Sequence, residues 1–298
     1  MANHRRYSAF LLLFVVSLAL WWRPLVGTLR LALANEGCTH ILLILPLSGT
    51  LIYTERKSIR APFSRSVGAG ISLLIVALLM AAGSSCGAGG LPEDVRLSLS
   101  IFALVTWWIG SVLVCFGART FQSLLFPLCF LFWIIPPPEF VLSGIIQFLQ
   151  HQSAFAARVL FRAVGTPVTQ DGILLSIPGL DIEVARDCSS IRSSLMLVIT
   201  TMFMAQLFLR SWWRKALLIG AAVPLSVAKN GLRILVISEL GTRVDPGFLN
   251  GRLHHQGGII FLTGSFAVVA VMLWVLQRTE KLPLRGLQGS GVRLRENR

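Results

Sequence analysis

Charged residues are scarce in this chain. Only 13% of its 298 residues are charged, whereas 54% are hydrophobic, and its mean hydropathy is +0.73. These polar side chains are too few to cover a soluble globular protein, so the chain requires an apolar solvent. A convincing small-x-small cleavage site is also lacking after the apolar run 8–22, so we interpret that run as a retained first helix. The sequence therefore predicts an all-α polytopic membrane protein.

Acidic residues are scarcer than basic ones, at 13 against 27, which leaves a net charge of +14. Such a charge can indicate a nucleic-acid partner, but no basic run is interleaved with aromatic residues on a polar domain. The Lys and Arg residues instead lie in short segments between apolar runs, as in cytoplasmic loops of membrane proteins. We therefore expect the lipid bilayer, and no nucleic acid, as the partner of this charge.

Apolar runs long enough to cross a hydrocarbon core of about 30 Å predict about eight transmembrane helices. They lie near 8–22, 39–54, 67–83, 98–117, 121–135, 191–209, 216–240 and 257–276. With a cytoplasmic N-terminus, the segments on the cytoplasmic side hold 16 of the 27 basic residues, so both termini are predicted to face the cytoplasm. We expect 1–277 to form a single integral membrane domain and 278–298 to be a basic, disordered tail.

The segment 136–190 is then extracytoplasmic and forms a small cap between helices five and six. It opens with IIPPPEF, where three prolines prevent a helix from continuing. An amphipathic stretch over 144–165 follows and predicts a helix along the outer interface. Beyond it, apolar and polar residues alternate between Gly and Pro turns, which predicts a small hairpin.

Cys188 is the cysteine with polar neighbours, in the sequence EVARDCSSIRSS (183–194). Asp187 is suited to cap the sixth helix and to place Cys188 in its first turn, where free N–H groups favour a thiolate. Arg192 lies four residues further on the same face and adds to this effect, whereas Asp187 opposes it. The alternative is a buried and inert cysteine.

Polar residues also interrupt the seventh apolar run, in the sequence VAKNGLRIL (227–235). Asn230 and Arg233 share one helix face, and an intramembrane Arg is costly unless it has a function. Arg233 lies 17 residues after Ala216, about 25 Å above the inner edge, and thus at the level of Cys188. The alternative is an Arg that extends to the lipid headgroups.

His254 and His255 precede the last helix, also on the outer side. Histidines at such a position are usually solvated or capping. Together, however, three separate segments bring a thiol, a guanidinium and an imidazole to one side of the membrane. A Cys–His pair can attack an amide carbonyl, an Arg can stabilise the oxyanion, and the imidazolium can protonate the leaving amine. This combination predicts peptide cleavage or transpeptidation.

Motifs of other enzyme classes are missing. There is no CxxC, HExxH, GxSxG or Gly-rich phosphate loop, and Cys188 with His254 provides too few ligands for zinc. We therefore expect no metal and no cofactor. Cys38 and Cys86 both fall on the outer side, where a disulfide between them is possible, and Cys115 and Cys129 are expected to be packing residues.

Five sequence elements, in order along most of the chain, resemble the exosortase/archaeosortase family of membrane transpeptidases. They are Ile135–Phe140 (IPxPEF in the family), Gly165–Val168 (GxPV), DCSSIRS at 187–193 (CSGIRS), Asn230–Ile234 (NxxRI), and His254–Gly258 with Phe261 (HxxxG and Phe). None is decisive alone, but their ordered combination is specific.

The resemblance implies a bacterial inner-membrane enzyme with Cys188 as nucleophile and Arg233 and His254 completing the site. The implied substrates are secreted proteins with a C-terminal sorting tail, made of a short motif such as Pro-Glu-Pro, a transmembrane helix and a basic end. Such systems commonly accompany exopolysaccharide machinery. Ser190 departs from the family pattern, which has Gly there.

The supporting residues follow from the same resemblance. Asn230 and Arg192 match family positions, and Arg192 is expected to contact the thiolate or a substrate carboxylate. Charge alone suits Arg186 and Arg192 to an acidic tail motif. The spacing to Gly258 selects His254 as the acid/base residue, and His255 is the alternative.

Two functions of other classes remain open from the sequence. One is a membrane transporter in which Lys229 and Arg233 bind an anion. The other is a non-catalytic subunit of an exopolysaccharide assembly system. A transport path requires polar residues through the inner half of the helices, and that half is almost purely apolar here.

Overall fold

The computed structural model describes residues 2–56, 67–85, 90–184, 191–245, 247 and 252–281, which are mostly helical. The α-helices in these ranges are α1 (Ala2–Leu20), α2 (Trp22–Ala34), α3 (Ile41–Thr54), α4 (Val67–Ser85), α5 (Glu93–Ser123), α6 (Leu125–Phe130), α7 (Glu139–Ala163), α8 (Ile191–Phe208), α9 (Trp212–Arg243) and α10 (Arg252–Lys281). Short 3₁₀ helices cover Glu36–Cys38 and Leu131–Ile134. Two compact units divide the chain, 1–144 and 145–298.

Length and apolar composition identify six helices within the described ranges that are able to cross a membrane. These are Glu36–Thr54, Val67–Ser84, Glu93–Ser123, Ile191–Phe208, Trp212–Arg243 and Gly258–Glu280. Two bent helix pairs raise the number to eight if each pair is one span. The predicted all-α polytopic fold with about eight spans is thereby confirmed. The last helix, however, continues to Lys281, four residues into the tail 278–298 that was predicted to be disordered. The rest of that tail lies outside the described residues.

Two of the runs predicted to be straight are bent in the structure, and prolines explain both bends. The first run turns by 70° between α1 and α2, where Pro24 clashes with a helical continuation from the preceding turn. The run near 121–135 turns by 95° into α7 at the three consecutive prolines. The turn is fixed to the start of α5, since the backbone N–H of Glu139 donates to Asp94 Oδ2 at 2.7 Å and Ser98 Oγ donates to the carbonyl of Pro136 at 2.6 Å.

The first unit is organised around α5, whose buried residues run along most of its length. The Trp108 indole N–H donates to Ser17 Oγ of α1 at 2.9 Å. Helix α4 packs closely against another side of α5. A Cβ added at Gly70 would lie only 2.8 Å from the backbone N of Val114. Within α5, Gly117 has a φ of +83°, a backbone conformation that favours glycine, and it interrupts the helix there.

The second unit contains a small antiparallel sheet of β1 (Thr169–Asp171), β2 (Leu174–Ile177) and β3 (Leu180–Glu183) in that order. The predicted hairpin is thus a three-stranded meander. Its strands follow α7, which ends at Ala163. The chain beyond that end turns at Gly165, with a φ of +82°, and the N–H of Thr166 donates to the carbonyl of Phe161 at 2.9 Å. This left-handed cap explains why glycine occupies the first position of the GxPV element.

Helices α8, α9 and α10 pack around a shared apolar core. Its buried members are Leu197, Ala205, Leu209, Leu218 and Val269. One end of this bundle is fixed by Glu280 near the end of α10, which accepts from the backbone N–H of Ser211 at 2.7 Å and pairs with Arg214 at 3.4 Å. Because short connections join the three helices, the start of α8, the end of α9 and the start of α10 all lie at the opposite end.

Helix α9 also packs closely against α7. A Cβ at Gly231 would lie 2.8 Å from Ala156 Cβ and 3.0 Å from the backbone N of Ala157. Neither neighbour is the end of a flexible side chain, so the contact requires the absence of a side chain at Gly231. The polar residues on either side of Gly231 are held against α7 by this contact.

We expect Gly231→Ala to destabilise the protein by about 1–3 kcal/mol, the usual cost of overpacking. The measurement is the midpoint of thermal unfolding in detergent, which should fall by several degrees. Gly220→Ala is the matched control, because Gly220 lies in the same helix with no atom within 4 Å of an added Cβ. Equal midpoints for the two variants would contradict the close approach.

Candidate functional site

The start of α8 and the middle of α9 lie at the same level of the bundle. Helix α8 has 18 residues, a length of about 27 Å, and Arg233 lies 21 residues after Trp212, about 31 Å along α9. A hydrogen bond connects α9 and α8 at this level, since Lys229 Nζ donates to Ser193 Oγ. The residues that follow Cys188 in sequence are therefore adjacent to the polar turn of α9.

This polar turn is buried. Lys229, Asn230 and Arg233 are 5%, 1% and 9% exposed. Asn230 Nδ2 donates to Ser153 Oγ of α7 at 2.9 Å, whereas Asn230 Oδ1 is a buried acceptor without a hydrogen-bond partner in the described part of the chain. The arginine does not extend into the surroundings, as the alternative interpretation required, but is enclosed by the protein.

Val184 directly precedes the segment 185–190 that contains Cys188, and hydrogen bonds hold its backbone in place. Gln150 Nε2 donates to the carbonyl of Val184 at 2.7 Å, and the N–H of Val184 donates to the carbonyl of Ile173 at 3.1 Å. Val184 is fully buried in the same apolar cluster as Ile234 and Leu235 of α9. Residue 184 and the residues after Arg233 therefore share one core.

Several predicted site residues fall outside what the structure describes. Arg186, Asp187 and Cys188 lie in the segment 185–190, between the described ranges, so the proposed cap and nucleophile stay predictions. His254 and His255 belong to the first turns of α10, but their side chains are not described.

Two positions can still be compared with the expectations. Arg192 lies in the first turn of α8 and is exposed. Counted along α10, His254 is 26 residues before Glu280, about 39 Å. Its backbone is therefore about 8 Å farther along the bundle axis than that of Arg233.

Sequence reasoning missed three residues that position the site, namely Gln150, Ser153 and Ser193. A signal for the first two was present. They lie on the face of α7 that otherwise carries buried apolar residues, including Ile146, Ala154 and Ala157, and polar residues on such a face require partners. The prediction of an interfacial helix, however, assigns the apolar face of this stretch to lipid and not to other helices of the protein.

The remaining cysteines lie away from this turn in sequence. Cys38 is buried and free, while its suggested partner Cys86 lies outside the described residues. Cys115 is buried, as expected for a packing residue, but Cys129 is exposed. No group of three or more His, Cys, Asp or Glu residues suited to a metal ion occurs in the ranges that the structure describes.

Comparison with known families gives a match over most of the chain. The model of the transmembrane exosortases (Exosortase_EpsH) matches residues 21–275. The chain belongs to the transmembrane exosortase family. The matched region of this exosortase contains Cys188, the polar turn of α9 and His254. No curated protein and no solved structure matches the chain.

Proposed function

We propose that this exosortase is a membrane cysteine protease and transpeptidase. It cleaves the C-terminal sorting signal of secreted proteins at the outer face of the inner membrane, through a thioester on Cys188. One observation carries the proposal: the start of α8, the buried Arg233 and the start of α10 belong to the same end of one bundle. This arrangement supports a site to which the three segments contribute a thiol, a guanidinium and an imidazole.

The reaction begins when the Cys188 thiolate attacks a carbonyl carbon of the sorting signal and forms a C–S bond. Arg233 donates hydrogen bonds to the oxyanion that develops on the carbonyl oxygen. The C–N bond then breaks, and the imidazolium of His254 gives its proton to the leaving amine. An amine or a water molecule then attacks the resulting thioester, giving a proton to the neutral His254, and the C–S bond breaks to release the thiolate.

The surrounding residues have binding roles in this proposal. Asn230 Oδ1 accepts a hydrogen bond from a backbone N–H of the substrate, which would satisfy this buried acceptor. The exposed Arg192, together with Arg186, attracts acidic residues of the sorting motif. His255 takes the acid/base role if His254 does not. The active site faces the periplasm, as the distribution of basic residues along the chain supports. Exopolysaccharide machinery is the expected neighbour of the system.

The competing transporter function requires a polar path along the bundle. The part of α9 between 216 and 225 (ALLIGAAVPL) has no polar side chain. The buried cations Lys229 and Arg233 occur only beyond it. This distribution favours a site near one end of the bundle over a path through it.

A thioester intermediate can be intercepted with hydroxylamine. We expect that adding hydroxylamine to membranes containing the exosortase and a tailed reporter protein will produce a reporter with a C-terminal hydroxamate, because hydroxylamine is a strong nucleophile toward thioesters. Mass spectrometry of the reporter's new C-terminus distinguishes hydroxamate from carboxylate. Cleavage that yields only carboxylate at high hydroxylamine concentration would contradict a thioester, and membranes without the exosortase provide the control.

A further inference from the structure

A large cavity lies in the first unit, bordered by α2, the end of α4 and the start of α5. Its volume is about 1490 Å³, above the roughly 300–1,000 Å³ typical of small-molecule sites. The predicted topology places all three bordering segments on the outer side of the membrane. The cavity is therefore large enough for a ligand much bigger than an ion, at the outer boundary of the membrane.

One end of this cavity is apolar and the other is charged. Ser84 Oγ of α4 and Ser100 Oγ of α5 are hydrogen-bonded at 2.9 Å, so they mark one level of both helices. Leu78 lies six residues before Ser84, about 9 Å toward the inner side. Glu93 lies seven residues before Ser100, about 10 Å toward the outer side. Because all four residues line the cavity, it extends about 20 Å, from the apolar run 67–83 to the charged start of α5.

Three arginines line the charged end, namely Arg23 and Arg30 of α2 and Arg96 of α5. Arg23 and Arg30 are seven residues apart, about two helical turns, so they share one face of α2. All three side chains are exposed, and within the described residues none of them forms an ion pair with an acidic side chain. Guanidinium groups bind phosphate through paired N–H donors. This end of the cavity is thereby suited to a phosphate group.

Two acidic residues, Glu93 and Asp94, also line the charged end. Asp94 Oδ2 accepts from the backbone N–H of Glu139 at 2.7 Å, so this carboxylate already holds the turn before α7. Three arginines and two carboxylates leave a formal charge of +1 on the lining. A phosphodiester without a cation in its headgroup carries one negative charge and balances the lining. A headgroup that combines phosphate with an ammonium group has no net charge and does not.

Helix α2 has the orientation and the pattern of an interfacial helix. It turns by 70° from α1 and is therefore nearly perpendicular to that span. Its exposed Leu29 and Leu33 lie about a quarter of a turn around the helix from Arg23 and Arg30. An apolar face beside a basic face is typical of helices that lie on anionic membranes. This position brings the two arginines to the level of the lipid phosphates.

We infer that this cavity binds one anionic glycerophospholipid of the outer leaflet, with its phosphate between Arg23, Arg30 and Arg96 and an acyl chain along Leu78 and Ala82. The inference is independent of the proposed function. A free phosphate ion would leave the apolar end of the cavity unused, and an apolar helix would leave the arginines without an anion. An anionic lipid occupies both ends.

Lipid selectivity tests the charged end. The probes are phosphatidylglycerol and phosphatidylcholine with identical acyl chains, added to delipidated exosortase in detergent, and bound lipids are counted by native mass spectrometry. The wild type should bind one phosphatidylglycerol about tenfold more tightly than phosphatidylcholine, because one charge-assisted contact has about this value. Equal affinities for the two lipids would overturn the inference, and this comparison does not depend on the folding of any variant.

Replacing one arginine tests whether the preference arises in the cavity. Arg30→Gln should weaken phosphatidylglycerol binding about tenfold. Arg162→Gln is the matched control, because Arg162 is an exposed arginine of α7 that does not line the cavity, and it should bind phosphatidylglycerol as the wild type does. An equal loss in both variants would show that the lipid is held by the general positive charge of the protein, which would contradict the site.

Filling the apolar end distinguishes a lipid from a small anion. Ala82 is exposed and lines the cavity, whereas Ala69 is exposed on the same helix outside it. Ala82→Phe should weaken phosphatidylglycerol binding at least tenfold, since the new ring occupies the path of the acyl chain, and Ala69→Phe should bind as the wild type does. If inorganic phosphate displaces the lipid while Ala82→Phe still binds normally, the cavity holds only a small anion and the inference fails.

Discussion

Cys188→Ala is expected to abolish processing of tailed substrates. Removing a catalytic nucleophile lowers kcat on the order of 10⁶-fold in enzymes where it has been replaced, so processing should fall to background. The measurement is co-expression of the exosortase with a tailed secreted protein from the same genome, followed by electrophoresis and mass spectrometry of the protein's C-terminus. The tail should be cut in the presence of the wild type and remain attached with Cys188→Ala.

Two other cysteines provide controls for this experiment. Cys115 is buried in α5 and Cys129 is exposed on α6, and neither belongs to the predicted site. Cys115→Ala and Cys129→Ala should leave processing unchanged when the proteins are present in equal amounts. Normal processing by Cys188→Ala would show that another residue is the nucleophile.

Arg233→Gln is expected to lower the rate of tail cleavage by about 10²–10³-fold, the effect of removing one oxyanion donor. Arg233→Lys should also be strongly impaired, since an ammonium group cannot reproduce the planar array of guanidinium donors. Purified proteins in nanodiscs and a fluorogenic tail peptide allow kcat and KM to be separated. The loss should appear mainly in kcat, because the oxyanion exists only in the transition state and the intermediate.

Arg233 is 9% exposed, so its replacement can also affect folding, and the thermal unfolding midpoint of each variant has to be measured alongside. Arg210→Gln is the matched control, as Arg210 is exposed and belongs to the opposite end of the bundle. It should leave both kinetic constants unchanged. A stable Arg233→Gln protein with a kcat within threefold of the wild type would exclude Arg233 from oxyanion stabilisation.

The long apolar runs were predictable because each is a local property of the chain. The run 191–209 agrees with α8 to within one residue, and the run 216–240 lies within α9. Residues at the ends of runs were harder to assign. A bend near Pro24 and another at Pro136–Pro138 each separate the two helices of a pair. A hydrophobicity pattern does not encode the direction in which the chain leaves a proline.

The outline of the site was also accessible from the sequence, but the contacts that support it were not. Arg233 and Asn230 stand out as polar residues in an apolar run, and the family match covers them. Ser153 and Gln150 are ordinary polar residues of an amphipathic helix until α7 packs against α9 and brings Ser153 to Asn230 and Gln150 to Val184. These partners are separated by 77 and 34 residues in sequence, and no local pattern connects them.

Composition and the order of motifs alone thus determined that the chain is an all-α membrane protein of the exosortase family, since apolar length and motif spacing are properties of the sequence itself. Only the tertiary structure decided that the polar turn of α9 is enclosed, that Lys229 is bonded to Ser193, and that three arginines of α2 and α5 line one cavity. Burial and hydrogen-bond partners depend on which helices surround a residue. That arrangement is set by contacts between distant segments, such as Gly231 against Ala156.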